Sequence, residues 1–253
     1  MLFRKSFTQV KAAVLALAVA GISGLGVSSV SAASPLPANA TLATLIGLNG
    51  SGGVQVGNYI YSDFNYLPTG TDPSNPTPGA SSVAVSTQSG PFGVNSGLTF
   101  SAGWESIPGG NQDGVISYAV QAVSGTITEV ALAFNGVTPL AGTGTFASVT
   151  ETISTLITGP GNSAVGPGTT IGNISVFNNA ASGVGTNSGP LPITPGQSGI
   201  FVRKDVILTS GPNGISTISF VDNTYQITVP EPASLAAFGI TGVGLLVRRR
   251  RSA

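Results

Sequence analysis

The 253-residue chain carries 9 Lys+Arg against 9 Asp+Glu, with 36 Gly, 17 Pro and neither Cys nor His. Lacking the last two, it has no disulfide scaffold, no Ser-His-Asp or Cys-His nucleophile, and no zinc site of nitrogen and sulfur ligands. Charged residues make up 7% of the chain, far below the roughly 25% of ordinary soluble domains, a composition that suits a β-rich exported protein better than a cytosolic enzyme.

The balanced charge hides a segregation. Arg4, Lys5 and Lys11 stand at one end and Arg248, Arg249, Arg250 and Arg251 at the other, which leaves only Arg203 and Lys204 between residues 33 and 229. That body carries Asp63, Asp72, Glu105, Asp113, Glu129, Glu151, Asp205 and Asp222 and is therefore acidic. An acidic body repels phosphate backbones, so nucleic acid is not an expected partner.

In chain order, residues 1–32 have the three parts of a secretory signal peptide. A basic stretch ends at Lys11, an apolar run follows from Ala12, and a small-residue exit at Val30-Ser31-Ala32 predicts cleavage by signal peptidase after Ala32 or after Ala33. The segment is expected to be a helix until it is removed.

The body, residues 33–229, shows no 11-residue window of helical periodicity, and Gly or Pro interrupts most stretches long enough for a helix. Strands are expected at 53–61, 82–87, 98–102, 115–123, 127–134, 145–157, 170–177, 199–208 and 215–229. Turns are expected at Gln112-Asp113-Gly114, Ser124-Gly125, Asn135-Gly136 and Pro212-Asn213-Gly214. Stretches 67–80, 159–168 and 180–196 read as long loops rich in Pro, Gly, Asn and Ser. Many strands separated by polar turns predict an all-β fold, an antiparallel sandwich or jelly roll.

Candidate chemistry in the body is sparse. Trp104 beside Glu105 would make a sugar platform if both faced solvent, the ring stacking on a pyranose and the acid accepting from hydroxyls; core packing of Trp104 with Glu105 solvated is the competing reading. Glu105, Glu129 and Glu151 are the carboxylates a glycosidase would need. Alternation puts Glu151 with Val149 and Ile153 or at a sheet edge; if buried it calls for Arg203 or Lys204, and a structural ion pair is the favoured reading. Asn111 to Gly114 and Asp222-Asn223 are oxygen-rich, but they lack the acidic spacing of a calcium loop, so plain turns are expected. No phosphate loop or dinucleotide fingerprint occurs; no metal and no cofactor are expected.

The C-terminal end, residues 230–253, has three parts. Pro230-Glu231-Pro232 cannot continue a strand. The 13 residues 235–247 form an apolar segment of about 20 Å as a helix, short of a hydrocarbon core of about 30 Å. Arg248 to Arg251 then supply a membrane stop, since each arginine costs about 2.5 to 3.5 kcal/mol at the bilayer centre. This order of parts resembles the PEP-CTERM sorting signal of Gram-negative bacteria. The resemblance implies recognition by exosortase, a membrane-embedded cysteine transpeptidase that removes the tail, and a setting among exopolysaccharide and biofilm-matrix systems; it makes Glu231 part of another enzyme's substrate. More weakly, 201–208 and 219–225 resemble β-sandwich ectodomains that precede such tails.

The expectation is thus a non-enzymatic surface or matrix protein, anchored in the inner membrane as a precursor and then secreted or displayed. Its expected partners are signal peptidase, exosortase, the membrane through the uncut tail, and exopolysaccharide. The alternative is a carbohydrate-binding or carbohydrate-modifying module on the same route.

Overall fold

The structure, a computed structural model, describes residues 33–70, 72, 74–89, 96–140, 143–159, 164–179, 183–186 and 190–229. The signal-peptide and tail predictions, including Ala32, Pro230, Glu231, Pro232, helix 235–247 and Arg248 to Arg251, lie outside the described residues.

The strands are β1 Ser34–Pro35, β2 Val54–Val56, β3 Tyr59–Pro68, β4 Ala84–Ser89, β5 Ser96–Ser106, β6 Asn111–Ala122, β7 Thr126–Phe134, β8 Val137–Leu140, β9 Phe146–Thr158, β10 Ala164–Asn179, β11 Gly183–Thr186, β12 Leu191–Gln197, β13 Gly199–Thr209 and β14 Ile215–Thr228. Among the described residues they form an eight-stranded sheet ordered β1-β2-β3-β6-β13-β9-β10-β11 and a six-stranded sheet ordered β12-β7-β14-β5-β4, with β8 also on β14. Every pairing is antiparallel except the short β1-β2 contact. The fold is an all-β sandwich.

Alternation explains why these segments become strands around one core. On β13, Ile200, Val202, Lys204, Val206 and Leu208 all point inward, and Ala147, Val149, Glu151 and Ile153 do the same on β9. The opposing sheet contributes Leu98, Phe100 and Trp104 from β5 and Ile218, Val221, Asn223 and Tyr225 from β14. Each fully buried apolar side chain of this size contributes about 1.5 to 3 kcal/mol of transfer free energy.

Irregularities on β3 and β14 reset the alternation there. On β3 the inward positions are Tyr59 and Tyr61, then Phe64 and Tyr66; the register against β6 shifts between Ser62 and Asn65, where Asp63 takes a positive φ of 53°. On β14 the inward positions change from Ser216 and Ile218 to Val221, Asn223 and Tyr225 across a shift against β5. The Asn135 side chain bridges the second irregularity: its Oδ1 accepts from the backbone N–H groups of Ser219 and Phe220, at 2.9 Å each. Register shifts of this kind bend a strand and re-aim the side chains that follow.

The structure corrects several expectations. The single strand expected at 53–61 is a hairpin, broken at Gly57, whose φ is 57°. Gln112-Asp113-Gly114 is not a turn but the start of β6; the chain reverses just before it, where the Gly110 N–H donates to the Ile107 carbonyl. The expected turn at Asp222-Asn223 likewise lies inside β14. The expected loop at 67–80 gives its first residues to β3 and its last to a short 3-10 turn, Ala80–Ser82. The other two loops contain strand residues of β10, β11 and β12, because pairing with a neighbour overrides a weak local preference. β1 and β8 were not expected either, nor was helix α1, Leu42–Gly47. At six residues α1 is too short to show a period; it is fixed by a Thr41/Thr44 capping box and by burial of Leu42 and Leu45.

Candidate functional site

The predicted sugar platform is taken apart by the fold. Trp104 and Glu105 are consecutive on β5, so their side chains leave opposite faces: Trp104 is 1% exposed in the core and Glu105 faces solvent. A ring with no free face cannot stack on a sugar, and the core reading of Trp104 holds. Glu129 is half-buried on β7, and Glu151 is sealed inside, so the three glutamates do not converge on one cleft. Asp113, from the oxygen-rich stretch, sits partly buried on β6; its neighbour Asp205 has its carboxyl pushed up by burial and by the charge of Asp113.

The polar chemistry of the body gathers instead between the sheets. Glu151 on β9 and Lys204 on β13 are directly paired across the strands of the larger sheet, and Asn223 on β14 faces them from the smaller one. All three have 0% exposure. The Lys204 ammonium pairs with Glu151 Oε2 and donates to Asn223 Oδ1. The Asn223 Nδ2 donates to Glu151 Oε1 at 2.8 Å and to Oε2 at 2.7 Å. Each member thus touches the other two.

Aromatic side chains wall this triad. The Tyr118 hydroxyl donates to Asn223 Oδ1 at 3.2 Å and accepts from the Tyr225 hydroxyl at 2.7 Å; the Tyr59 hydroxyl in turn donates to the Tyr225 backbone carbonyl at 2.5 Å. Phe100 lies under the Lys204 Nζ at 5.9 Å from its ring centre, and Tyr61 and Phe64 pack on Tyr118. Removal from water pushes the Lys204 ammonium below its usual range, against the pull of Glu151. Burial pushes the Tyr61, Tyr118 and Tyr225 hydroxyls well up, and the Tyr59 hydroxyl up to about 12.

Composition and alternation point to Glu151 and a cation partner. They give no sign of Asn223, because the β14 irregularity decides that Asn223, not Asp222, faces the core.

Among the described residues, an open surface depression of about 520 Å³ lies at one end of the sandwich, lined by Asp72, Ser74, Ile107, Pro108, Asn111 and Ser210 together with glycines. It does not include the triad.

Strand β14 ends at Thr228, and the segment matching a protein-sorting family begins there: residues 228–251 match the model of the PEP-CTERM protein-sorting motif. This is a PEP-CTERM-containing protein. The PEP-CTERM motif marks it as an exported chain that is anchored in the membrane before exosortase processes it, and that stands at the cell surface or outside the cell afterwards. No curated protein matches the chain. Two similar solved structures are TmCBM61 in complex with β-1,4-galactotriose and the enzymatically active domain of tailspike protein 4 of bacteriophage CBA120. The first is 8% identical with a TM-score of 0.30, over 64% of this chain and 88% of that one. The second is 16% identical with a TM-score of 0.22, over 63% of this chain and 19% of that one. Neither likeness is close enough to argue from.

Proposed function

We propose that the PEP-CTERM-bearing chain is a non-catalytic structural component of the surface or exopolysaccharide matrix of a Gram-negative bacterium, inserted through a signal peptide into the inner membrane and released to its final site by exosortase. The observation that carries this reading is the sorting motif that begins where the last strand of the sandwich ends. Two features of the body support it. The polar groups best suited to chemistry are sealed in the core, and the aromatic ring best suited to a sugar is buried with them. In this reading the sandwich is a passive body, and the informative residues for delivery are Pro230, Glu231 and Pro232 for recognition and Arg248 to Arg251 for the membrane stop.

The test is made in the producing host. Replacing Pro230, Glu231 and Pro232 by alanine is expected to leave full-length precursor in the membrane, because the anchor survives and the recognition element does not. Replacing Arg248 to Arg251 by serine is expected to let uncut precursor slip outward. Correctly trimmed protein outside the cell from the first variant would overturn the sorting reading. Binding of the mature protein to a defined oligosaccharide on a glycan array, or release of reducing sugar, would replace the structural reading with the carbohydrate-module alternative.

A further inference from the structure

An ion pair alone accounts for Glu151 and Lys204; it does not account for a buried carboxamide set against both. In the core the Lys204 Nζ lies against the Asn223 carboxamide, and one carboxylate, Glu151, touches the nitrogen of each. From this arrangement we infer that Lys204 and Asn223 join in an intramolecular isopeptide bond, formed by the folded protein itself with Glu151 as the proton carrier.

The atoms balance without a co-reactant. Glu151 takes a proton from the Lys204 ammonium, leaving a neutral amine and a neutral acid. The Nζ lone pair attacks Asn223 Cγ, a C–N bond forms, and the carbonyl electron pair moves onto Oδ1. When that pair returns, the Cγ–Nδ2 bond breaks. Glu151 passes a proton to the departing Nδ2, to which it is already hydrogen-bonded, and a second proton follows from Nζ by the same carboxylate. The products are a secondary amide and an ammonium ion, with the Glu151 carboxylate restored, and nothing is oxidised or reduced.

Each requirement of that reaction is met by a named group. A lysine amine is a nucleophile only when neutral, and burial already weighs against its charge. Charge that develops on Oδ1 is met by the Tyr118 hydroxyl, which donates to it at 3.2 Å and is itself backed by Tyr225. Phe100, Tyr61 and Tyr225 wall off the core around the triad, so the amide, once formed, is out of reach of hydrolysis. The reactants are held by strands of two sheets, which supplies the proximity that makes an otherwise slow amide exchange intramolecular. The consequence is a covalent tie between the sheets in an exported chain that has no cysteine.

The bond is tested on the protein secreted by its own host, digested with a protease that cuts on the amino side of aspartate. Cuts before Asp205 and Asp222 separate Lys204 from Asn223 in the chain. If the bond is present, the fragment ending at Lys204 and the fragment beginning at Asp222 appear as one species, lighter than the sum of the two free fragments by one ammonia. If they appear as two species of unmodified mass, the proposal is overturned, whatever the variants do. Glu151→Gln protein shown to be folded by circular dichroism is expected to give the two separate fragments; a joined species from that variant would remove Glu151 from the reaction.

Discussion

All five tyrosines of the chain lie in the sandwich, and all five are buried: Tyr59, Tyr61, Tyr66, Tyr118 and Tyr225. Their hydroxyls are all raised from the ordinary value of 10.0, chiefly because a phenolate would have to form away from water. When a folded-state pKa lies above the unfolded one, its contribution to stability is complete below the unfolded value and is lost as pH rises through the folded one. Between those values the unfolded chain sheds a proton that the folded chain keeps, at a cost of about 1.4 kcal/mol per tyrosine per pH unit. Tyr61, Tyr118 and Tyr225 together withdraw roughly 4 kcal/mol per pH unit above 10. A domain with a total stability of about 5 to 15 kcal/mol should therefore unfold within about one to four pH units of that value. The assay is a base titration that follows tyrosinate absorbance and near-ultraviolet circular dichroism on the same sample. The two signals are expected to change together, in one cooperative step, with almost no tyrosinate before it. Tyrosinate rising around pH 10 while the dichroism stays native would mean that these hydroxyls reach water, and the packing argument would fail.

Trp104→Ala should cost about 3 to 5 kcal/mol and lower the melting temperature by on the order of 10 °C, while Glu105→Gln should change stability by no more than about 0.5 kcal/mol; equal effects in calorimetry would contradict their placement on opposite faces. Lys204→Met strands the Glu151 carboxylate in the core and should cost about 3 to 5 kcal/mol, to which loss of the cross-link adds, whereas Lys204→Met combined with Glu151→Leu should recover part of that loss in urea unfolding. A double variant less stable than the single one would refute the pairing. Gly97→Ala would drive a methyl into the backbone carbonyl of Asn223 and prise β5 from β14; a loss of about 1 to 3 kcal/mol is expected, and an unchanged melting temperature would show that the two strands are less closely apposed there.

What the residues determined alone was the class of the fold, the central strands and the address. Period-two alternation is strongest where a strand is flanked by neighbours on both sides and buries one face, so β9 and β13 were legible within a residue of their true bounds, and β6 only from Val115 onward. The tail was legible for a related reason: a sorting signal acts as a linear segment, and its chemistry is written in consecutive residues. Alternation left Glu151 either inside with Val149 and Ile153 or at a sheet edge, and the scarcity of lysine and arginine in the body narrowed its partner, if it was buried, to Arg203 or Lys204; the pairing of β9 with β13 decided the burial.

Pairing decided the rest. Strands β8, β11 and β12 and the short helix α1 have little local signal; backbone hydrogen bonds to a partner, or two leucines packed on the core, make them. Gln112-Asp113-Gly114 has turn chemistry, yet it pairs along β13 because Ile107 to Gly110 has already reversed the chain. The triad depends on tertiary structure most of all. Each irregularity inserts an odd step into a strand, and an odd step exchanges inward and outward residues from there on. Without the step at Ser219-Phe220, held by a side chain 84 residues earlier in sequence, Asp222 would face Lys204 and Asn223 would face water. No local pattern encodes that exchange, because the side chain that stabilises it arrives from another strand.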